Sequence, residues 1–187
     1  MIAGLPFVVI RGPALVGKTS VARRLAGRLP DRAAIISQDD LWWRAIARHD
    51  ADLAKEAELV YRQIKLLAST YVRAGYGMVV DAAFAFYRDG GGHGDQAAAT
   101  HDSDLRELLG LVSTVPNVRP LLVALTAPLD VLLERERDSE RWQPRAVEAL
   151  HRAFEASALP AALTLDTSVL SPDEAAEAIL ARLEAAS

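Results

Sequence analysis

Eight consecutive residues, Gly12-Pro13-Ala14-Leu15-Val16-Gly17-Lys18-Thr19, satisfy G-x-x-x-x-G-K-[ST] at every position. Each residue type in that pattern has a chemical reason. Glycines let the backbone wrap closely, so that successive N–H groups converge on phosphate oxygens. Lys18 is spaced to reach the β- and γ-phosphates of a nucleoside triphosphate, and Thr19 offers a hydroxyl to Mg²⁺. A helix beginning near Lys18 would point its positive end at the same anion. The chemistry is nucleotide binding, with ATP and Mg²⁺ as the expected cofactors and the run Gly12 to Ser20 as the cradle.

Phosphoryl transfer needs more than a cradle. A carboxylate must orient the acceptor hydroxyl and take its proton. Asp39 is the first choice and Asp40 the second, because both follow a short apolar run, Ala33–Ser37, that reads as a strand. Asp81 ends another such run and is the choice for supporting Mg²⁺ together with Thr19. Capping a helix before Leu41-Trp42-Trp43 is the alternative for both acids, serving Asp40 equally well and Asp39 less so, and Asp81 could simply close its strand. Arg135, Arg137 and Arg141 are candidates to stabilise the charge on the transferring group from a movable lid, with Arg137 and Arg141 as catalytic residues and Arg135 on the nucleotide. The interleaved Glu134, Glu136, Asp138 and Glu140 equally describe a solvated helix face. Trp42, Trp43, Phe84, Phe86 and Tyr87 offer rings to an acceptor, Trp42 and Phe84 first among them, and such residues equally serve a core. His49, His93, His101 and His151 lack metal-ligand spacing.

The elements that must position these groups follow from hydrophobic periodicity. Leu5–Ile10 is a continuous apolar run suited to a strand buried on both faces. A helix is expected over Lys18–Leu29, ended by Pro30 and Asp31. Leu41–Ala74 reads as mostly helical, in one or two helices, and Met78–Val80 as a third strand. Arg88–Asp104, with Gly90, Gly91, Gly92 and Gly94, shows no periodicity and reads as a flexible loop. Helix is expected at Leu105–Val112, strand at Arg119–Thr126, helix from Pro128 to about Arg137, helix from Pro144 to about Ser157, and strand at Leu163–Asp166. Ser171-Pro172-Asp173-Glu174 announces the last helix. Strands alternating with helices argue for an α/β fold with a mostly parallel sheet covered on both faces.

The bulk numbers agree with one domain over residues 1–187, with a lid at about 135–145. The chain is 51% hydrophobic and 25% charged, so it can bury a core. It lacks cysteine, which excludes disulfides and thiolate metal sites. No apolar run is long enough to cross a bilayer, and Met1–Ile10 lacks the basic start and cleavage site of a signal peptide, so a cytoplasmic location and no membrane partner are expected. The net charge of −4 disfavours a polynucleotide acceptor, which needs a basic groove. The guanine-reading N-K-x-D signature is missing, since Val118 follows Asn117.

Taken together, these residues resemble the small P-loop kinases grouped around chloramphenicol phosphotransferase, zeta-toxin-like kinases and the phage-type polynucleotide 5′-kinase. The resemblance rests on Gly12–Thr19, on Ile36-Ser37-Gln38-Asp39-Asp40-Leu41, on Val79-Val80-Asp81, and on Val123–Arg141. The tail Leu165-Asp166-Thr167-Ser168 with Ser171-Pro172 looks most like chloramphenicol phosphotransferase. It implies a three-layer fold with a five-stranded parallel sheet and an arginine-bearing lid, and it matches Asp39 to the acceptor-activating aspartate. The expected reaction is transfer of the γ-phosphoryl group of ATP to a hydroxyl of a small molecule: an antibiotic, a nucleoside or a sugar-like alcohol. A polynucleotide 5′-hydroxyl, a nucleotide-sugar, or an ATP-dependent switch without acceptor are the competing expectations. The loop Gly90–Gly94 matches nothing in these families.

Overall fold

A computed structural model describes residues 4–30, 32–49, 53–88, 97–138, 144–157 and 159–185. Five strands form one parallel sheet: β1 (Leu5–Arg11), β2 (Ala33–Ser37), β3 (Gly77–Asp81), β6 (Val118–Thr126) and β7 (Leu163–Asp166), in the order β2-β3-β1-β6-β7. The central strand explains its own apolar run. Val8 and Ile10 enter one core with Val21, Leu25 and Ile179, whereas Phe7 and Val9 enter the other with Val60, Tyr61, Ile64, Leu105 and Leu108. A strand covered on both faces has no side to leave polar. Each such side chain contributes about 1.5–3 kcal/mol by leaving water.

The helices supply the two outer layers. On one face lie α1 (Lys18–Ala26) and α6 (Pro172–Ala185), packed on each other, and on the opposite face α2 (Leu53–Arg73) and α3 (Asp102–Ser113). Completing the set are α4 (Leu129–Arg137) and α5 (Pro144–Glu155). The last helix begins as its sequence demands: the Glu174 amide donates to Ser171 Oγ at 3.3 Å, and the Ser171 amide donates to Glu174 Oε2 at 2.8 Å. That reciprocal pair is a capping box. No helix among the described residues is long and apolar enough to cross a membrane.

Three expectations need correction. The stretch read as a loop over 88–104 contains structure: β4 (Ala85–Arg88) pairs antiparallel with β5 (Ala97–Thr100), and α3 already begins at Asp102. Ala97-Ala98-Ala99-Thr100 carries no alternation of apolar and polar residues, so periodicity could not reveal it; its pairing and the packing of α5 on the hairpin are non-local. The glycines of this segment lie outside the described residues. Of the one or two helices expected over Leu41–Ala74 the structure has two, but the first is a π-helical turn, Asp40–Arg44, ahead of α2. The first helix stops at Ala26 rather than Leu29, because Gly27 takes the cap position and Leu29 folds back into the core.

Candidate functional site

The carboxyl ends of β1, β2 and β3 lie side by side, with Ile10, Asp81 and Ser37 in register. Strand order reverses at β1, since β3 flanks it on one side and β6 on the other. In open α/β sheets this switch point is where ligands bind, and here it holds the turn Gly12–Gly17 that joins β1 to α1.

The turn is built by backbone conformations few residues tolerate. Gly17, at the N-cap of α1, has φ of 92°. Gly12 has φ of 153°, and a Cβ there would come within 2.5 Å of the Leu125 carbonyl of β6. Leu15 adopts φ of 63°, a left-handed conformation that costs a non-glycine residue roughly 1–2 kcal/mol. Side chains hold the turn from both sides. Lys18 Nζ donates to the Pro13 carbonyl at 2.9 Å. Arg135 Nη1, from the last turn of α4, donates to the Leu15 carbonyl at 3.1 Å. Thr167 Oγ1, just past β7, donates to the Val16 carbonyl at 2.9 Å.

Thr19 Oγ1 donates to Asp81 Oδ2 at 2.6 Å. Asp81 is almost fully buried, and burial holds its carboxyl above the usual range, with Lys18 and the Thr19 hydrogen bond opposing and the charges of Asp39 and Asp40 adding to the rise. Lys18 is pulled below its ordinary value by desolvation, opposed by Asp81 and then Asp39. The structure therefore gathers Lys18, Thr19, Asp81 and Asp39 into one electrostatic unit. Asp39 is exposed, and although it occupies the cap position of the π-helical turn it makes no capping hydrogen bond. Its carboxylate is open to solvent rather than spent on the backbone. Asp40 pairs with Arg44 at 2.8 Å, so its charge is partly answered within its own turn.

Two openings of about 200 Å³ flank the turn. One is lined by Gly17, Ser20, Arg135, Thr167, Leu170 and Pro172. The other, mostly apolar, lies against Arg11, Pro13, Thr126, His151, Phe154 and Ser157. Arg137 is exposed at the end of α4, and Arg141 lies outside the described residues. Ala14 sits half-buried within the turn itself.

Two rings assigned to an acceptor are instead core residues. Trp42 is 3% exposed, and its Nε1 donates to Glu56 Oε2 at 2.9 Å; Trp43, stacked on it with centroids 5.5 Å apart, is the exposed member at 44%. Phe84 is fully buried and stacks on Tyr61 at 5.3 Å, while its amide donates to Gln38 Oε1 at 3.1 Å. Neither presents a ring face to solvent. His49 is engaged with Glu56 at 2.9 Å, His101 with Asp104 at 3.4 Å and His151 with Glu155 at 3.4 Å. Among the described residues no group of three or more His, Cys, Asp or Glu side chains could hold a metal on its own.

Sequence reasoning missed Arg11. This guanidinium at the end of β1 is 3% exposed, lies 3.3 Å from Asp102 Oδ1, donates to Ser157 Oγ at 3.1 Å and sits 5.0 Å over the Phe154 ring. A charge closing a fully apolar strand signals a buried partner, but nothing local names a partner at position 102.

A family model described as AAA domain matches residues 7–158. No curated protein matches the sequence. Among solved structures, the APS kinase of Mycobacterium tuberculosis, in complex with AMPPNP and APS, is 20% identical with a TM-score of 0.65, over 97% of this chain and 99% of that one. A sugar kinase from Janibacter is 18% identical with a TM-score of 0.63, over 96% and 95%. The tunicamycin resistance protein of Deinococcus radiodurans is 21% identical with a TM-score of 0.60, over 96% and 95%. These likenesses show the α/β P-loop kinase fold.

Proposed function

Because this chain belongs to the P-loop family described as AAA domain, we propose that it is an ATP-dependent phosphotransferase that moves the γ-phosphoryl group to a hydroxyl of a small molecule, in the manner of chloramphenicol phosphotransferase. One observation carries the reading. Lys18 and Thr19 at the end of the turn, the Asp81 carboxylate 2.6 Å from Thr19, and the exposed Asp39, whose charge acts on both Lys18 and Asp81, lie together at the carboxyl edge of the sheet. A nucleotide switch needs the first three; the solvent-facing acid beside them supports a role toward an acceptor hydroxyl.

The residues fit Mg²⁺. Thr19 Oγ1 and Asp81 Oδ2 are hard oxygen donors within reach of one another, and this ion commonly takes one or two protein oxygens with the rest from phosphate and water. Held by Thr19 and supported by Asp81, the ion would supply neutralisation of phosphate charge during transfer. Backbone N–H groups of the turn hold the phosphate chain, and Lys18 leaves the Pro13 carbonyl for, or shares it with, the phosphate oxygens. Asp39 accepts the proton of the acceptor hydroxyl as that oxygen bonds to the γ-phosphorus. The bond from the γ-phosphorus to the β-phosphate oxygen breaks, and ADP leaves with its electron pair. Arg137 and Arg141 are proposed to complete the charge stabilisation from the lid. The mostly apolar opening beside Arg11 and Phe154 and the exposed Trp43 suit a compact, partly apolar alcohol better than a phosphate backbone.

The test is transfer from γ-labelled ATP with Mg²⁺ to a panel of phenicols, other hydroxylated antibiotics, nucleosides, nucleotide-sugars and short oligonucleotides. Label on one small acceptor supports the reading. Label on oligonucleotide ends or on a nucleotide-sugar replaces the acceptor class, and label released only as free phosphate replaces the kinase with a nucleotide switch.

A further inference from the structure

A phosphate cradle needs consecutive peptide N–H groups to point inward. Each N–H shares a rigid plane with the carbonyl of the preceding residue, which then points outward. An outward carbonyl packed against protein needs a donor of its own. The turn Gly12–Gly17 shows where two of these donors come from. Arg135 Nη1 holds the Leu15 carbonyl at 3.1 Å, and Thr167 Oγ1 holds the Val16 carbonyl at 2.9 Å. The peptide planes concerned carry the N–H groups of Val16 and Gly17.

The two donors form one clasp. Arg135 Nη1 also donates to Thr167 Oγ1 at 3.2 Å, and Arg135 Nη2 donates to the Thr167 carbonyl at 2.6 Å. Thr167 is itself tied to β6, its amide donating to the Thr126 carbonyl at 2.8 Å. It is 8% exposed. The turn is thus gripped from α4 and from the end of β7, 120 and 151 residues further along the chain. Leu15 needs such a grip, because its left-handed conformation is not one it would keep unaided.

We propose that Arg135 and Thr167 are positioning residues for the phosphates: by fixing the Leu15 and Val16 carbonyls they aim the Val16 and Gly17 N–H groups at the phosphate chain. This rests on the nucleotide-binding reading of the turn. Arg135 then acts through the backbone, not as a lid arginine on the γ-phosphate.

The test uses the full chain, Mg²⁺ and three probes: ATP, inorganic tripolyphosphate and adenosine. Thr167→Val keeps the shape and removes the donor; Thr167→Ser keeps the donor. Affinity for ATP and for tripolyphosphate should fall about tenfold in Thr167→Val, the worth of one hydrogen bond, with adenosine affinity unchanged. The KM for ATP should rise by the same factor, the amide resonances of Val16 and Gly17 should move, and Thr167→Ser should recover affinity. If Thr167→Val does not fold, Arg135→Gln carries the same expectation. Wild-type tripolyphosphate affinity in the variants overturns the proposal. So does a loss shared equally by adenosine, which assigns the pair to the nucleoside instead. A wild-type chain that binds neither ATP nor tripolyphosphate overturns the nucleotide reading and this proposal with it.

Discussion

Lys18 carries a charge in a place that disfavours charge. Burial lowers its pKa, and the charges of Asp81 and Asp39 oppose that fall; a triphosphate would answer it more fully. Lys18→Ala should therefore leave the fold intact and cut transfer by about 10³-fold, comparable with loss of a preorganised transition-state donor. Initial rates beside a thermal melt of the variant check both halves. Asp81 makes a sharper case. Its folded-state pKa is raised by burial, so its contribution to stability is full below the unfolded value and is lost as pH rises through the folded one. Ion support needs the carboxylate ionised. As pH falls through that window, above the ordinary carboxylate range, transfer should decline while this group's contribution to stability grows. Profiles of kcat/KM and Tm against pH, for the wild type and Asp81→Asn, test the opposition: the variant should lose the Asp81 part of the Tm dependence and about 10- to 100-fold in transfer. At this scale the sequence showed residue types and spacing well. The placement of Lys18, Thr19, Asp39 and Asp81 at the carboxyl edge of the sheet was legible because a pattern or a strand end announced each. Trp42 and Phe84 were misassigned because an aromatic near a site and an aromatic in a core look alike until packing decides.

At the scale of elements, the turn between β1 and α1 depends on its two glycines for different reasons. A Cβ at Gly12 would collide with the Leu125 carbonyl at 2.5 Å and Val16 Cγ1 at 2.9 Å, whereas one at Gly17 meets nothing within 4 Å and suffers only from φ of 92°. Gly12→Ala should be the more destabilising, by about 1–3 kcal/mol more, since backbone and packing must both shift. Denaturant unfolding of the two variants side by side measures the difference. The strands of the main sheet were legible almost to the residue, because a strand buried on both faces is an unbroken apolar run closed by turn residues. The β4–β5 hairpin was not, because alanines at 97–99 carry no face preference and their pairing partner is fixed by tertiary contact. The π-helical turn Asp40–Arg44 escaped as well, since its hydrogen-bond spacing leaves no period that a short segment can show.

For the molecule as a whole, the sheet order β2-β3-β1-β6-β7 brings residues from positions 12 to 167 onto one edge. Alternating strands and helices made the layers legible in the sequence. The clasp from Arg135 and Thr167 to the turn, and the burial of Arg11 beside Asp102, were not, because both join segments that are more than ninety positions apart and no local signal encodes the pairing. A nucleotide that binds only the folded chain must stabilise it. ATP with Mg²⁺ at a hundred times its Kd should contribute about 2.7 kcal/mol, which for a chain of this size raises Tm by roughly 5–10 °C. A melt at increasing ATP concentration reads this directly, and Lys18→Ala should abolish most of the shift.

The proposed transfer turns on Asp39 acting on an acceptor held beside an ATP cradle. The most direct test pairs ATP affinity with single-turnover transfer in Asp39→Asn, using the acceptor identified by the labelled panel. Asp39→Asn should keep wild-type ATP affinity and lose transfer by about 10²- to 10⁴-fold, the range for removing a general base. Transfer at the wild-type rate with Asp39 neutralised would contradict that role.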